Sequence, residues 1–123
     1  MARDGKDMQI SLLLDFYGDM LTEKQRDVIE LYYNEDLSLA EIAAHSKITR
    51  QGVRDSIKRA ESTLLELEER LGLAKRFRRI QEGLDKITMD ARFVQENFGR
   101  LGYRREVDQR LAQIIEIAQN INE

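Results

Sequence analysis

From Val53 onward the apolar side chains recur at alternating spacings of four and three, and only glycine-bearing breaks interrupt the pattern. The first run is Val53, Ile57, Ala60, Leu64, Leu67 and Leu71. The second is Leu73, Phe77, Ile80, Leu84, Ile87, Ala91, Val94 and Phe98, and the third is Val107, Leu111, Ile114, Ala118 and Ile121. That spacing lines up on one stripe of an α-helix and cannot be met by a strand, whose side chains alternate with period two. Gly72 separates the first two runs, and F-G-R-L-G-Y over 98–103 separates the second from the third. Proline is absent and aromatic residues make up only 7% of the chain, so the expected fold class is all-α.

Upstream, helix-start signals divide the chain more finely. Met8, Leu12, Leu13, Phe16, Tyr17 and Met20 fall at helical spacing and predict a first amphipathic helix over 7–20. Thr22 with Gln25 forms a capping box for a second helix, whose stripe of Val28, Ile29, Leu31 and Tyr32 runs to about Tyr33. Ser38 with Glu41 forms another box, opening a short helix that reaches about His45 with Leu39, Ile42 and Ala43 inward. Thr49 then caps the helix that carries Val53 and Ile57. Two helices joined by S-K-I, with Ala43 at their crossing and Ile48 in the turn, have the spacing of a helix-turn-helix. Ser46 and Lys47 stand where a hydrophobe and a left-handed glycine are commonly found, and Gly52 costs its helix about 1 kcal/mol relative to alanine. The expected organisation is a helix-turn-helix part over 1–71 and C-terminal amphipathic helices over 72–123.

The second motif helix would be about 23 residues, roughly 34 Å long, far more than DNA reading needs. The excess must pack against something. The three runs could fold on one another, but they are longer than a small monomer readily covers, so a homodimer is the expectation.

Charge is distributed unevenly. The net charge is −3. Residues 1–46 have a balance of −6, residues 47–79 of +5, and residues 80–123 of −2. An anionic partner responds to such local charge, because salt screens the rest beyond a Debye length of roughly 8 Å. On the second motif helix the face opposite Val53 and Ile57 presents Arg50, Gln51, Arg54 and Lys58, with Arg59 at its edge. Arginine can be bidentate to guanine and glutamine to adenine, which makes Arg50, Gln51 and Arg54 candidates for base edges. Lys47, Thr49, Lys58 and Arg59 suit phosphates, which orient a protein without specifying sequence. The competing reading is a solvated charged face; the location on a motif helix, with Asp55 as the one offsetting carboxylate, favours nucleic acid. Lys75, Arg76, Arg78 and Arg79 form a possible second basic patch around Phe77, although they equally suit the outside of a helix that buries Phe77.

Other chemistry finds little support. The chain has no cysteine and one histidine, His45, expected at an exposed helix end, so no metal site is expected. Neither a glycine-rich phosphate loop nor a nucleophile elbow occurs, so no cofactor and no enzymatic activity are expected. No signal peptide or membrane span is visible, which predicts a cytoplasmic protein without a membrane partner.

The stretch L-T-E-K-Q-R-D-V-I-E-L-Y-Y-N-E-D-L-S-L-A-E-I-A resembles the last helical region of bacterial sigma-70 factors. A closer resemblance takes in L-L-D-F-Y-G-D-M before it, then T-R-Q-G-V-R-D-S-I-K-R-A-E and L-G-L-A-K-R-F after it. Over roughly residues 8–85 these segments are similar to the YlxM family of small bacterial helix-turn-helix proteins. The resemblance implies an all-helical fold with a sigma-region-4-like motif followed by long helices. Genes of that family tend to neighbour the gene of the signal recognition particle GTPase, which implies a regulatory or accessory role in that pathway. Two functions follow as expectations: a regulator that binds duplex DNA, or an accessory factor that binds the particle's RNA or its GTPase. This chain departs from the family at Gly52, where alanine is usual, and in the tail after about residue 88.

Overall fold

A computed structural model describes residues 6–121. Every regular element among them is helical. In order they are α1 (Met8–Tyr17), a single 3-10 turn (Gly18–Met20), α2 (Glu23–Tyr33), α3 (Leu39–Ser46), α4 (Arg50–Leu71), α5 (Leu73–Asn97) and α6 (Arg104–Asn120). The first helix is shorter than the expected 7–20: it stops at Tyr17, and Met8 and Met20 lie exposed instead of joining its buried stripe. The remaining boundaries follow the caps. The Thr22 hydroxyl accepts from the Gln25 N–H at 3.2 Å while the Gln25 side chain accepts from the Thr22 N–H at 3.3 Å. Ser38 and Glu41 make the same reciprocal pair at 3.1 and 2.9 Å. Each box satisfies amide groups that have no partner within the helix.

The chain divides into two compact units, Met1–Ala74 and Lys75–Glu123. In the first, α4 is the common support. Its Ala60 and Leu64 join Ile10, Leu13, Leu14 and Tyr17 of α1 with Leu21, Ile29, Tyr33 and Ala74 in one buried cluster. Its Val53 and Ile57 join Val28 of α2 with Ile42 and Ala43 of α3 in a second. Each fully buried aliphatic side chain contributes about 1.5–3 kcal/mol of transfer free energy, so the two clusters hold α2, α3 and the start of α4 as one body.

Two tyrosines close this unit. The Tyr17 hydroxyl donates to Glu68 Oε1 at 2.7 Å and accepts from the Leu73 N–H at 3.0 Å. The same Glu68 oxygen accepts from the Ala74 N–H at 3.0 Å. The first amides of α5 thereby find acceptors that a helix start otherwise lacks. Tyr33 donates to Glu61 and accepts from the Asp7 N–H at 3.4 Å. Burial, followed by the adjacent carboxylate, raises the pKa of both phenols.

The second unit is α5 and α6 joined by 98–103, where Gly99 and Gly102 take φ values of 80° and 89°. A side chain at Gly83 would put its Cβ 2.9 Å from Ile121 Cδ1 and 3.2 Å from Ile117 Cγ2, so the missing side chain lets these helices approach. Further along, Asp90 is wholly buried; its Oδ1 accepts from Arg110 at 2.8 Å and Lys86 at 3.4 Å, and its Oδ2 has no partner among the described residues. The Arg110 guanidinium also lies 4.5 Å from the Phe93 ring centre. The expected stripes are split here. Ile80, Ile87, Val94, Val107, Ile114 and Ile121 are buried or half-buried, whereas Phe77, Leu84, Ala91, Phe98, Leu111 and Ala118 are exposed. Each run offers two adjacent rows, and pairing α5 with α6 uses only one of them. Phe77, expected to be buried beneath its basic neighbours, is 45% exposed.

Candidate nucleic-acid interface

The turn between α3 and α4 is built without glycine. Lys47 itself takes the left-handed conformation, φ 59° and ψ 41°, and its N–H bonds to the Ala43 carbonyl. Ile48 tucks against the second core cluster, and Thr49 accepts from the Gly52 N–H at 2.9 Å to start α4. A Cβ at Gly52 would lie 3.2 Å from Thr49 Oγ1 and 3.7 Å from Ile48 Cδ1, so glycine here leaves room for the cap. The residue that weakens the helix in isolation thus relieves crowding at its start.

Because Val53, Ile57 and Ala60 are buried, the opposite side of α4 must face outward. Lys47, Thr49, Arg50, Gln51, Arg54, Lys58 and Arg59 are all exposed. Arg50, Arg54 and Lys58 follow one another at intervals of four and form one row; Gln51, Asp55 and Arg59 form the adjacent row. Among the described residues, the cationic groups of Lys47, Arg50, Arg54, Lys58 and Arg59 make no ion pair or hydrogen bond. Gln51 differs: its amide donates to Asp55 Oδ1 at 2.9 Å, so it must leave that carboxylate to meet a base. No acidic residue stands in the first turn of α4, so the positive end of the helix dipole is not offset there.

Some contributors were not recognised in the sequence. A cleft of about 420 Å³ between the start of α2 and α4 is lined by Thr22, Lys24 and Gln25 on one side and Asp55, Ser56 and Arg59 on the other. Lys24 extends the basic rim beyond α4. Its signal lay in a neighbouring capping box, which reads as helix punctuation and gives no hint that α2 starts beside the basic face. A larger cleft of about 1070 Å³ lies between α2 and the end of α3 and carries Glu23, Asp27, Glu30 and Glu35, against the single cation Lys24, around Val28 and Leu31. Its charge repels a polyanion, which separates it from the basic face. His45 sits at its rim, exposed.

Lys75, Arg76, Arg78 and Arg79 are exposed on the first turns of α5, in the other unit. Among the described residues no three His, Cys, Asp or Glu side chains are grouped to hold a metal ion, and no helix is long and apolar enough to cross a membrane.

Comparison with known proteins identifies the family. Residues 5–100 match the family model UPF0122, described as "Putative helix-turn-helix protein, YlxM / p13 like". A UPF0122 protein of Thermoanaerobacter sp. (strain X514) is 47% identical over 115 residues, covering 93% of this chain and 92% of the relative. One from Clostridium perfringens (strain 13 / Type A) is 41% identical over 111 residues, covering 87% and 94%. One from Desulforamulus reducens is 52% identical over 79 residues, covering 64% and 68%. With a family model matching residues 5–100 and a relative 47% identical over 93% of the chain, the chain belongs to the UPF0122 family of YlxM/p13-like helix-turn-helix proteins.

Proposed function

We propose that this protein is a nucleic-acid-binding regulator, not an enzyme, that lays the start of α4 in the major groove of duplex DNA. Five cationic side chains on and before one motif helix, all exposed and unpaired among the described residues, are the observation that carries this reading. In it, Arg50 and Arg54 meet guanine edges and Gln51 meets adenine after releasing Asp55. Lys47, Lys58 and Arg59 meet phosphates, with Thr49 fixing the helix start. Two copies act together as a homodimer, because five cations on an acidic chain give one copy only modest, salt-sensitive attraction.

A second reading is an accessory factor of the signal recognition particle that binds structured RNA or the particle's GTPase in the cytoplasm. The four exposed basic residues Lys75, Arg76, Arg78 and Arg79 favour it, since duplex reading by α4 leaves them unused. Binding of the full chain to a randomised duplex pool and to structured RNA separates the two. For duplex reading, Arg54→Ala relaxes sequence preference and costs about 1–3 kcal/mol at the affected base pair. Lys58→Ala weakens all sequences evenly and lowers the salt dependence. Equal, sequence-blind losses for both variants, with tighter binding to RNA, would favour the accessory role.

A further inference from the structure

We propose that the cleft between the start of α2 and α4 seats one backbone phosphate of the duplex, gripped by Lys24 from one wall and by Ser56 and Arg59 from the other. This rests on the duplex reading above and adds to it a contact from α2, outside the motif helices α3 and α4. The cleft is about 420 Å³ in volume. Its α4 wall is Gly52, Ser56 and Arg59, spaced by four and three, so they share one stripe beside the buried Val53, Ile57 and Ala60. Gly52 adds no side chain to the floor, and a Cβ there would come within 3.2 Å of Thr49 Oγ1.

The polar groups on the two walls are free to take an anion. Ser56 is half-buried, and its hydroxyl makes no hydrogen bond among the described residues. The mid-helix hydroxyls of Thr63 and Thr88 instead donate to the Arg59 and Leu84 carbonyls at 3.0 and 2.9 Å, the common outlet for such a group. Lys24 and Arg59 are exposed, and among the described residues neither has an ion-pair partner. Asp55 is the one carboxylate on the lining, and its Oδ1 accepts from the Gln51 amide at 2.9 Å. Even with Gln51 withdrawn to a base, two cations face that single anion. Lys24 also borders the acidic cleft on its other side, whose carboxylates turn a phosphate towards Arg59.

Position along α4 suits a contact at the wall of the groove. Arg59 lies five residues beyond Arg54, about 7.5 Å along the helix axis, close to the major-groove depth of roughly 8.5 Å. With Arg50 and Arg54 at base edges, Arg59 comes level with the strand backbone. A phosphate held there carries no sequence information but fixes the tilt of α4, and a grip from two helices fixes it in two directions. Lys24 joins Arg59 on the same phosphate, so the number of phosphates held by each copy does not rise.

The test uses the full chain, the tightest-binding duplex from the randomised pool, and copies of that duplex with one neutral methylphosphonate at each backbone position in turn. Lys24→Gln and Ser56→Ala should each weaken binding roughly two- to tenfold without changing base preference, and Lys24→Arg should bind like the unsubstituted chain. One methylphosphonate position should weaken the unsubstituted chain and, on that duplex alone, abolish the further losses from Lys24→Gln, Ser56→Ala and Arg59→Gln together. Lys24→Gln binding as tightly as the unsubstituted chain overturns the seat. So does a pattern in which different positions abolish the Lys24→Gln and Arg59→Gln losses. Base preference set by Arg54 persists in either case, and the duplex reading stands. A chain that binds no duplex overturns both.

Discussion

The two units solve the same physical problem with unequal success. In Met1–Ala74, five helical segments close around two buried clusters, and the buried tyrosine hydroxyls are matched to carboxylates and amides. In Lys75–Glu123, Val107 is the one buried hydrophobic residue among those described, while a buried aspartate leaves one oxygen without a partner. Both units draw on helices with apolar stripes of the same spacing. A helix pair covers one side of each stripe, whereas α4 is covered by α1, α2 and α3 together. Stripe length alone therefore says nothing about how much of a stripe is covered within the chain.

Core truncation breaks this comparison most strongly. Leu64→Ala in the first unit should destabilise the protein by about 2–5 kcal/mol, because the side chain is fully buried and leaves a cavity. Leu84→Ala, measured by denaturant unfolding under conditions that keep the chain monomeric, should change stability by only about 0.5 kcal/mol. A large loss at Leu84 in the monomer would show that its row is already covered from within.

Next in size is the buried pair in the second unit. Asp90→Leu with Arg110→Met exchanges a half-satisfied ionic contact for apolar packing and should stabilise by about 1–4 kcal/mol. Asp90→Leu alone leaves the partly exposed Arg110 free to reach solvent and should gain less. A loss in the double variant, read from the thermal midpoint, would mean that Asp90 is satisfied by a group outside this pair.

Tyr17→Phe should cost about 1–3 kcal/mol, since it removes both the donor to Glu68 and the acceptor of the Leu73 amide. The sign with pH follows from a phenol whose pKa is raised on folding. Its contribution is complete below the ordinary value of 10.0 and is lost as pH rises through the higher folded value. Stability of the unsubstituted protein should therefore decline above about pH 10, and Tyr17→Phe should flatten that decline. Gly52→Ala should give the smallest effect, under about 1 kcal/mol, because gained helix propensity works against crowding of the Thr49 cap. Circular dichroism melts would register either sign.

How far the sequence was readable follows the same division. The Thr22, Ser38 and Thr49 caps each act on the residue three positions on, so α2, α3 and the start of α4 could be placed from local pattern. The same reading put Arg50, Arg54 and Lys58 on the side away from Val53 and Ile57, where they lie. Long-range partners were not legible. Nothing local announces that Glu61 and Glu68 serve tyrosines on α1 and α2, or that Asp90 turns inward while Phe77 and Leu84 stay out. Lys47 looked unsuited to its turn, yet it adopts the left-handed conformation, a local strain that the packing of Ile48 and the cap at Thr49 hold in place.

If α4 reads the duplex and the C-terminal helices pair two copies, the salt dependence of duplex binding tests that division most directly. Affinity is measured against salt for the unsubstituted chain and for a full chain carrying Leu84→Asp, which sets two like charges into the apolar row. With Lys47, Lys58 and Arg59 on phosphates in each copy, the slope of log K against log salt should be about −5 for the pair and about −3 for the single copy. Equal slopes and equal affinities for the two proteins, with Leu84→Asp shown to be folded and monomeric, would contradict the account.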